Sequence, residues 1–248
     1  MPDATVPEQA VPGQTVPGQA LHEQTVPGQA LHEQTMPGVR VRRRVRLPLR
    51  LADGWRGTAE AVTFDGLTDG RDHVALALGP WQDALRRSAA GGRPPLVRLH
   101  SECLTGDVFG SERCDCGPQL REALERTDRA GGFVLYLRHE GRGIGLVHKL
   151  DAYALQDGGL DTYEANVALG HAEDERDYEP AAAMLAALGA RRVTLLTNNP
   201  DKVRQLRRHG IEVTEQVPTG LHLTAANRRY LVAKARHGEH LLPGLAAG

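Results

Sequence analysis

PQLREALERTDRAGGFVLYL, residues 118–137, reads as a helix followed directly by a buried strand. Pro118 stands near the first turn, Gly131 and Gly132 follow the end, and FVLYL is a short apolar run of strand length. Outward from it the same grammar repeats. LVRLH (96–100) is a strand upstream. Downstream, a glycine loop leads to a helix through KLDAYALQD (149–157), and a further helix spans 180–188. RVTLLT (192–197) is a strand, PDKVRQLRRH (200–209) a helix closed by Gly210, and IEVTEQV (211–217) a strand. Alternation of this kind predicts an α/β fold with a mixed sheet and ligands at the strand ends.

Before Leu96 the pattern differs. In VRVRRRVRLPLR (39–50), Val39, Val41, Val45, Leu47 and Leu49 share parity while arginines fill most other places, which predicts a half-buried strand with Pro48 at a sheet edge. An arginine cluster gripping nucleic acid fits the same letters, and so does a solvated strand face. AEAVTF and HVALALG, separated by DGLTDGRD, complete a small antiparallel unit. Residues 80–95, with AAGGRPP, read as a surface connector. From Val6 the chain repeats in fives (VPEQA, VPGQT, VPGQA, LHEQT, VPGQA, LHEQT), and residues 1–38, a low-complexity segment, hold six of the fifteen prolines. It has too little apolar area to offset its ordering entropy, so residues 1–38 are expected to be a disordered tail. The domain expectation is therefore tail 1–38 and catalytic domain 39–248, divided into a β-rich part (39–95) and a core (96–242).

With 30 Lys plus Arg against 31 Asp plus Glu, the chain has no global charge that would draw it to nucleic acid or to an anionic membrane. No run of about 18 apolar residues is present, and no secretory signal opens the chain, so a cytoplasmic protein is expected. All three cysteines fall in ECLTGDVFGSERCDCG as Cys103, Cys114 and Cys116. Three thiolates plus an open fourth position is the ligand pattern of a catalytic zinc. A closed structural zinc completed by His100, or three unrelated buried thiols, satisfies the same spacing.

RLHSECLTGDVFGSERCDCGPQL, HEGRGIGL, DAYALQDGGLDTYEANVALGHAEDERDY and TNNPDKV resemble, in order and spacing, GTP cyclohydrolase II of riboflavin biosynthesis. The resemblance is dense from Arg98 to Val217 and does not cover the tail. It implies one Zn2+ per chain on Cys103, Cys114 and Cys116, with GTP as substrate, Mg2+ accompanying the triphosphate, and a homodimer. It implies substrate contacts at Arg98, Leu99, His100, Ser101, Glu102, Gln119, Glu140, Gly141, Arg142, Thr162, Thr197 and Lys202. The catalytic positions become Tyr153, Asp174 as proton acceptor, and Arg176 as nucleophile towards the α-phosphate. A guanidinium with pKa above about 12 is a poor nucleophile, so stabilising charge on the phosphate is an equally economical role for Arg176. A carboxylate such as Glu140 can accept from the N1 hydrogen and the 2-amino group of guanine, donors that adenine lacks as a pair.

The implied reaction consumes GTP and water, opens the imidazole ring to a formamide, and releases formate and pyrophosphate to leave a diaminopyrimidine ribosyl phosphate. In the family, methionine at the position of Tyr153 goes with arrest at the formamide, so tyrosine here implies complete conversion. The fused synthase of some relatives is not expected ahead of Leu96. Blander readings stand beside these. EGRGIG serves equally as a plain turn, Asn198 or Asn199 as a helix cap, Tyr153 as a core residue, and DERD as solvated charge. The departures from the family pattern are the tail, the longer connector and His171, where an apolar residue is common.

Overall fold

The computed structural model describes residues 38–237, so nearly all of the pentapeptide tail lies outside the described residues. Seven strands form one sheet in the order β1-β2-β3-β5-β4-β6-β7. Strands β1 (Arg40–Arg50), β2 (Arg56–Asp65) and β3 (Val74–Leu78) run antiparallel, and β3 pairs antiparallel with β5 (Gly132–Leu137). From β5 the sheet continues parallel through β4 (Leu96–Ser101), β6 (Arg192–Leu196) and β7 (Glu212–Val217). The N-terminal antiparallel unit and the alternating core are thus one continuous mixed sheet.

Alternation along the central strands fills two layers. Val97, Leu99, Phe133, Leu135 and Leu195 face one core, with Met184 and Leu185 of α6 (Glu179–Ala187) and Leu206 of α7 (Pro200–Arg208). Leu96, Val134 and Leu196 face the other, against Ala123 and Leu124 of α3 (Cys116–Ala130). Every residue of α6 from Pro180 to Ala187 is buried; it is a nearly all-apolar helix, as expected of one covered on all sides.

Two expectations need correction. The connector 80–95 contains α1 (Trp81–Ala89), whose Trp81 and Leu85 pack on the first core, with Asp83 in its first turn and Arg86 and Arg87 in its last. Its apolar spacing is helical, but the glycines and prolines that follow obscured it. β1 is an edge strand carrying Pro48, as expected, yet it is mostly exposed: Val45 and Leu47 keep 54% and 41% of their surface. A register shift between Val41 and Arg43 breaks the parity read from the letters, so Val41 and Val45 do not face one core. Three further helices, α2 (Leu104–Asp107), α5 (Thr162–Ala168) and α8 (Arg228–His237), were not foreseen. α4 (Gly145–Asp157) falls where the glycine loop predicts it. No helix among the described residues is long and apolar enough to cross a membrane.

Candidate functional site

The carboxyl ends of β4, β5 and β6 open into one cavity, because parallel strands deliver their following loops to the same edge of the sheet. The loop after β4 carries Glu102 and Cys103, that after β5 carries His139 to Arg142, and that after β6 carries Thr197 to Asn199.

The three cysteines converge although the first two are eleven positions apart in the chain. Their sulfurs lie within 4.8 Å of one another, and Cys103 Sγ is 3.6 Å from Cys114 Sγ. A tetrahedral centre with zinc–sulfur bonds of about 2.3 Å requires sulfurs about 3.8 Å apart, so the donor set fits zinc. Gly106 makes the fit possible: a Cβ there would stand 2.9 Å from Cys114 Sγ and 3.2 Å from Cys103 Sγ. Hydrogen bonds from the Cys114 and Cys116 thiols, aided by nearby Lys149, hold the Cys103 thiol well below the usual thiol range, and donating to it pushes Cys114 up to about 11. His100 is not the fourth ligand. Its Nε2 is 3.1 Å from both oxygens of Asp107, and it stands outside the cysteine group. Asp107 also accepts from Cys103 N–H at 3.0 Å and Tyr136 OH at 2.9 Å, which fixes the first metal-binding loop.

Beyond the sulfurs the cavity wall is basic. Arg98 is buried, donating to Gln119 Oε1 at 2.6 Å and to the Leu196 carbonyl at 3.2 Å. Lys202 is 5% exposed, with its Nζ 2.7 Å from the Leu99 carbonyl. Burial, together with Arg98, Arg176 and Lys234 around it, pushes the Lys202 ammonium well below its ordinary range. Arg98 and Lys202 donate to neutral oxygens in these bonds, and a triphosphate is an anion of the kind such buried cations can take. Of seven buried side-chain polar atoms without a partner among the described residues, four (Arg98 Nε, His100 Nδ1, His139 Nδ1, Arg142 Nη1) belong to residues lining this cavity. Such concentration marks a place built for a polar ligand.

The loop EGRGIG is more than a plain turn. Gly141, Arg142 and Gly143 all have positive φ, and Arg142 (φ 64) is the one non-glycine residue so placed among the described residues. Its guanidinium lies 3.9 Å from the Tyr163 ring centroid, and its carbonyl accepts from Glu175 N–H at 3.1 Å. That bond ties the loop to the segment of Asp174 and Arg176. Arg176 pairs bidentately with Asp174 and reaches Ser101 Oγ at 3.4 Å. Burial opposes the charge on Asp174, but the hydrogen bonds and charge of Arg176 win and hold its carboxyl below the usual range. Asp174 is therefore ionised at neutral pH, and DERD is not simply solvated charge.

Most predicted substrate and catalytic residues line the cavity, with two exceptions. Leu99 turns its side chain into the core and offers only its carbonyl, and Asp174 is joined to the cavity through Arg176. Tyr153 lines the cavity rather than the core, its hydroxyl 3.3 Å from Thr105 Oγ1, which is itself 3.7 Å from Cys103 Sγ. Thr162 opens α5 behind the Asp161 capping box. Asn199 caps α7 by accepting from Asp201 N–H at 2.8 Å, while Asn198 bonds Thr219.

Reading the residues alone missed Gly106, Asp107, Asp115, Lys149, Tyr230 and Lys234. Asp115, between two cysteines, is fully buried and binds Lys234 of α8 at 2.9 Å. No motif flagged α8, because one lysine and one tyrosine on a polar helix carry no signal of their own. Asp69, His73 and His139 form a second group of possible metal donors. There His73 accepts from Arg138 N–H and bonds Asp69, so both its ring nitrogens are in use.

The family profile described as GTP cyclohydrolase II matches residues 43–218. The chain belongs to the GTP cyclohydrolase II family. It is 51% identical over 184 residues to GTP cyclohydrolase-2 of Vibrio cholerae serotype O1, covering 74% of this chain and 89% of that protein. It is 48% identical over 198 residues to GTP cyclohydrolase-2 of Aliivibrio fischeri, covering 80% and 96%. The riboflavin biosynthesis protein RibBA of Nocardia farcinica matches at 52% over 191 residues, which is 76% of this chain and 44% of that protein. The family match spans β4 to β7 and the whole cysteine cluster, and it ends before α8 begins at Arg228.

Proposed function

We propose that this GTP cyclohydrolase II family member hydrolyses GTP, opening the guanine imidazole ring and releasing formate and pyrophosphate, as the first step towards riboflavin. The observation that carries the reading is the junction in one cavity of three converging thiols with the buried cations Arg98, Arg176 and Lys202. Cys103, Cys114 and Cys116 hold one Zn2+, which when bound supplies Lewis-acid activation of water for attack at C8. The basic wall takes the triphosphate, with Mg2+ on the phosphate oxygens. Arg98, His100, Ser101, Glu102, Gln119, Gly141, Arg142, Thr162, Thr197 and Lys202 bind and orient the nucleotide, and the Leu99 carbonyl positions Lys202.

Glu140 faces the purine. Its carboxylate already accepts from Leu104 N–H, Gly141 N–H and Lys149, so with those bonds intact it takes one guanine donor rather than both. Asp174, ionised and fixed by Arg176, accepts a proton. Arg176 stabilises charge at the α-phosphate as pyrophosphate leaves. Tyr153, two short contacts from Cys103 through Thr105, serves the second hydrolysis that frees formate. The catalytic domain is residues 39–248, with the tail 1–38 outside it; the protein acts in the cytoplasm as a homodimer.

The test is a zinc-quantified assay with GTP and Mg2+ that reads pyrophosphate, formate and product mass together. Formate and pyrophosphate appearing in step, both lost in Cys114→Ser, is the expected result. Pyrophosphate without formate would mean arrest at the formamide, and neither product would overturn the reading.

A further inference from the structure

None of the roles proposed above uses Lys149, yet it is one of the few lysines buried in the molecule. It is 8% exposed, and its Nζ donates to Cys103 Sγ at 3.1 Å and to Glu140 Oε1 at 2.7 Å. A lysine at helical spacing ordinarily runs its stem along the surface and leaves its head in water. Here the head is turned inward onto two anionic groups.

The bonds around it form a clamp. Glu140 Oε2 accepts from Leu104 N–H at 2.7 Å, and Asp107 Oδ2 accepts from Cys103 N–H at 3.0 Å. The Cys103 sulfur, its own amide and the next amide are thus each held by a different side chain, and Lys149 with Glu140 supplies two of the three holds. Glu140 in turn leaves the ammonium group little freedom to swing away. A zinc ion on three thiolates carries one net negative charge, and three thiolates donate more electron density to the metal than three imidazoles do. A cation touching one sulfur answers both problems. It offsets the buried charge, and it draws density off the thiolate.

We infer that Lys149 is a positioning residue for the metal centre: held by Glu140, its ammonium group neutralises the three-thiolate site and polarises the Cys103 sulfur so that a bound zinc stays electrophilic. The inference rests on the zinc reading of the cysteine cluster. Outer groups that orient metal ligands typically matter by about 10–100-fold in metal affinity or activity when removed.

The experiment uses the full chain with Co2+ in place of zinc for absorption spectra, and zinc itself for chelator competition. Lys149→Gln is expected to move the thiolate-to-cobalt charge-transfer band to longer wavelength, because an unpolarised sulfur gives up electrons more readily. It is also expected to lower zinc affinity about 10–100-fold. Lys149→Arg, which restores the charge, recovers most of that affinity. Glu140→Gln leaves Cys103 as the ammonium's sole anionic partner and shifts the band the opposite way; it carries the test alone if Lys149→Gln does not fold. A band and affinity unchanged in Lys149→Gln, no shift in Glu140→Gln, or an Arg variant as impaired as the Gln variant would each overturn the inference while the zinc reading stood. A parent protein that takes up neither metal would overturn both.

Discussion

Gly106→Ala adds one methyl group at the point where the three cysteines meet. The new Cβ would lie 2.9 Å from Cys114 Sγ, 3.2 Å from Cys103 Sγ and 3.3 Å from Cys116 Cβ. Comfortable contacts between such atoms begin at about 3.5 Å, so a sulfur must retreat by about half an ångström, more than the roughly 0.2 Å of latitude in zinc–ligand distances. Overpacking of this kind costs about 1–3 kcal/mol, equivalent to about a 5- to 150-fold loss of zinc affinity. The local backbone pulls the other way. Gly106 lies in α2 without positive φ, and alanine is favoured over glycine in a helix by up to about 1 kcal/mol. The two effects separate in the assay. Chelator competition should show weakened zinc binding, while thermal unfolding of the metal-free protein should be unchanged or slightly improved. Zinc affinity indistinguishable from the parent's would refute the claim that Gly106 shapes the thiol cluster, and a large loss of metal-free stability would assign the effect to folding instead.

Tyr153→Phe should release pyrophosphate but accumulate the formylated pyrimidine, seen by product mass; formate at the parental rate would remove the tyrosine from the second hydrolysis. Arg176→Met should slow pyrophosphate release about 10²–10³-fold, the scale of losing one charge-stabilising donor, whereas Arg176→Lys should retain part of the rate. Equal loss in both would argue against a purely electrostatic role. Burial lowers the His139 pKa to about 4, so the folded protein holds the imidazole neutral while the unfolded chain protonates it near pH 6.5. Its contribution is therefore present above pH 6.5 and lost as pH falls towards 4, by up to about 3 kcal/mol. Denaturant melts across that window should show the slope, and His139→Gln should flatten it.

The strands from Leu96 onward and the helices α3, α4, α6 and α7 were legible because each central strand is a short apolar run and each of these helices has a glycine stop. The connector helix was not, since nine helical residues sit beside a glycine- and proline-rich stretch that dominates the local composition. β1 shows a different limit. Its letters alternate, but an irregularity at Val41–Arg43 reverses the faces, and Arg40 and Arg44 pair with Asp65 and Glu60. The cysteine spacing told of metal but not of the geometry around it. Gly106 and Asp107 matter because of where other chain segments come to meet them, as Cys114 and Cys116 do at Gly106 and Tyr136 does at Asp107.

That distinction follows from what a sequence motif can encode. Metal ligands are set by their own chemistry, so Cys103, Cys114 and Cys116 can be singled out by type and spacing, whereas Asp174 and Lys202 were picked out by the family resemblance. Groups that act through another residue are set by a contact, and a lysine bonded to a sulfur 46 residues away looks like any other lysine on a helix. The cavity joins a thiolate end, where Lys149 meets Cys103, to a cationic end, where Arg98, Arg176 and Lys202 stand with too few anions. A substrate that is an electrophilic purine at one end and a triphosphate at the other matches both halves at once. If so, a triphosphate lacking the purine should occupy only the cationic half: inorganic triphosphate should compete with GTP, and Lys202→Met should weaken it far more than Lys149→Gln does. Equal effects of the two substitutions on that competition would contradict the division of the cavity.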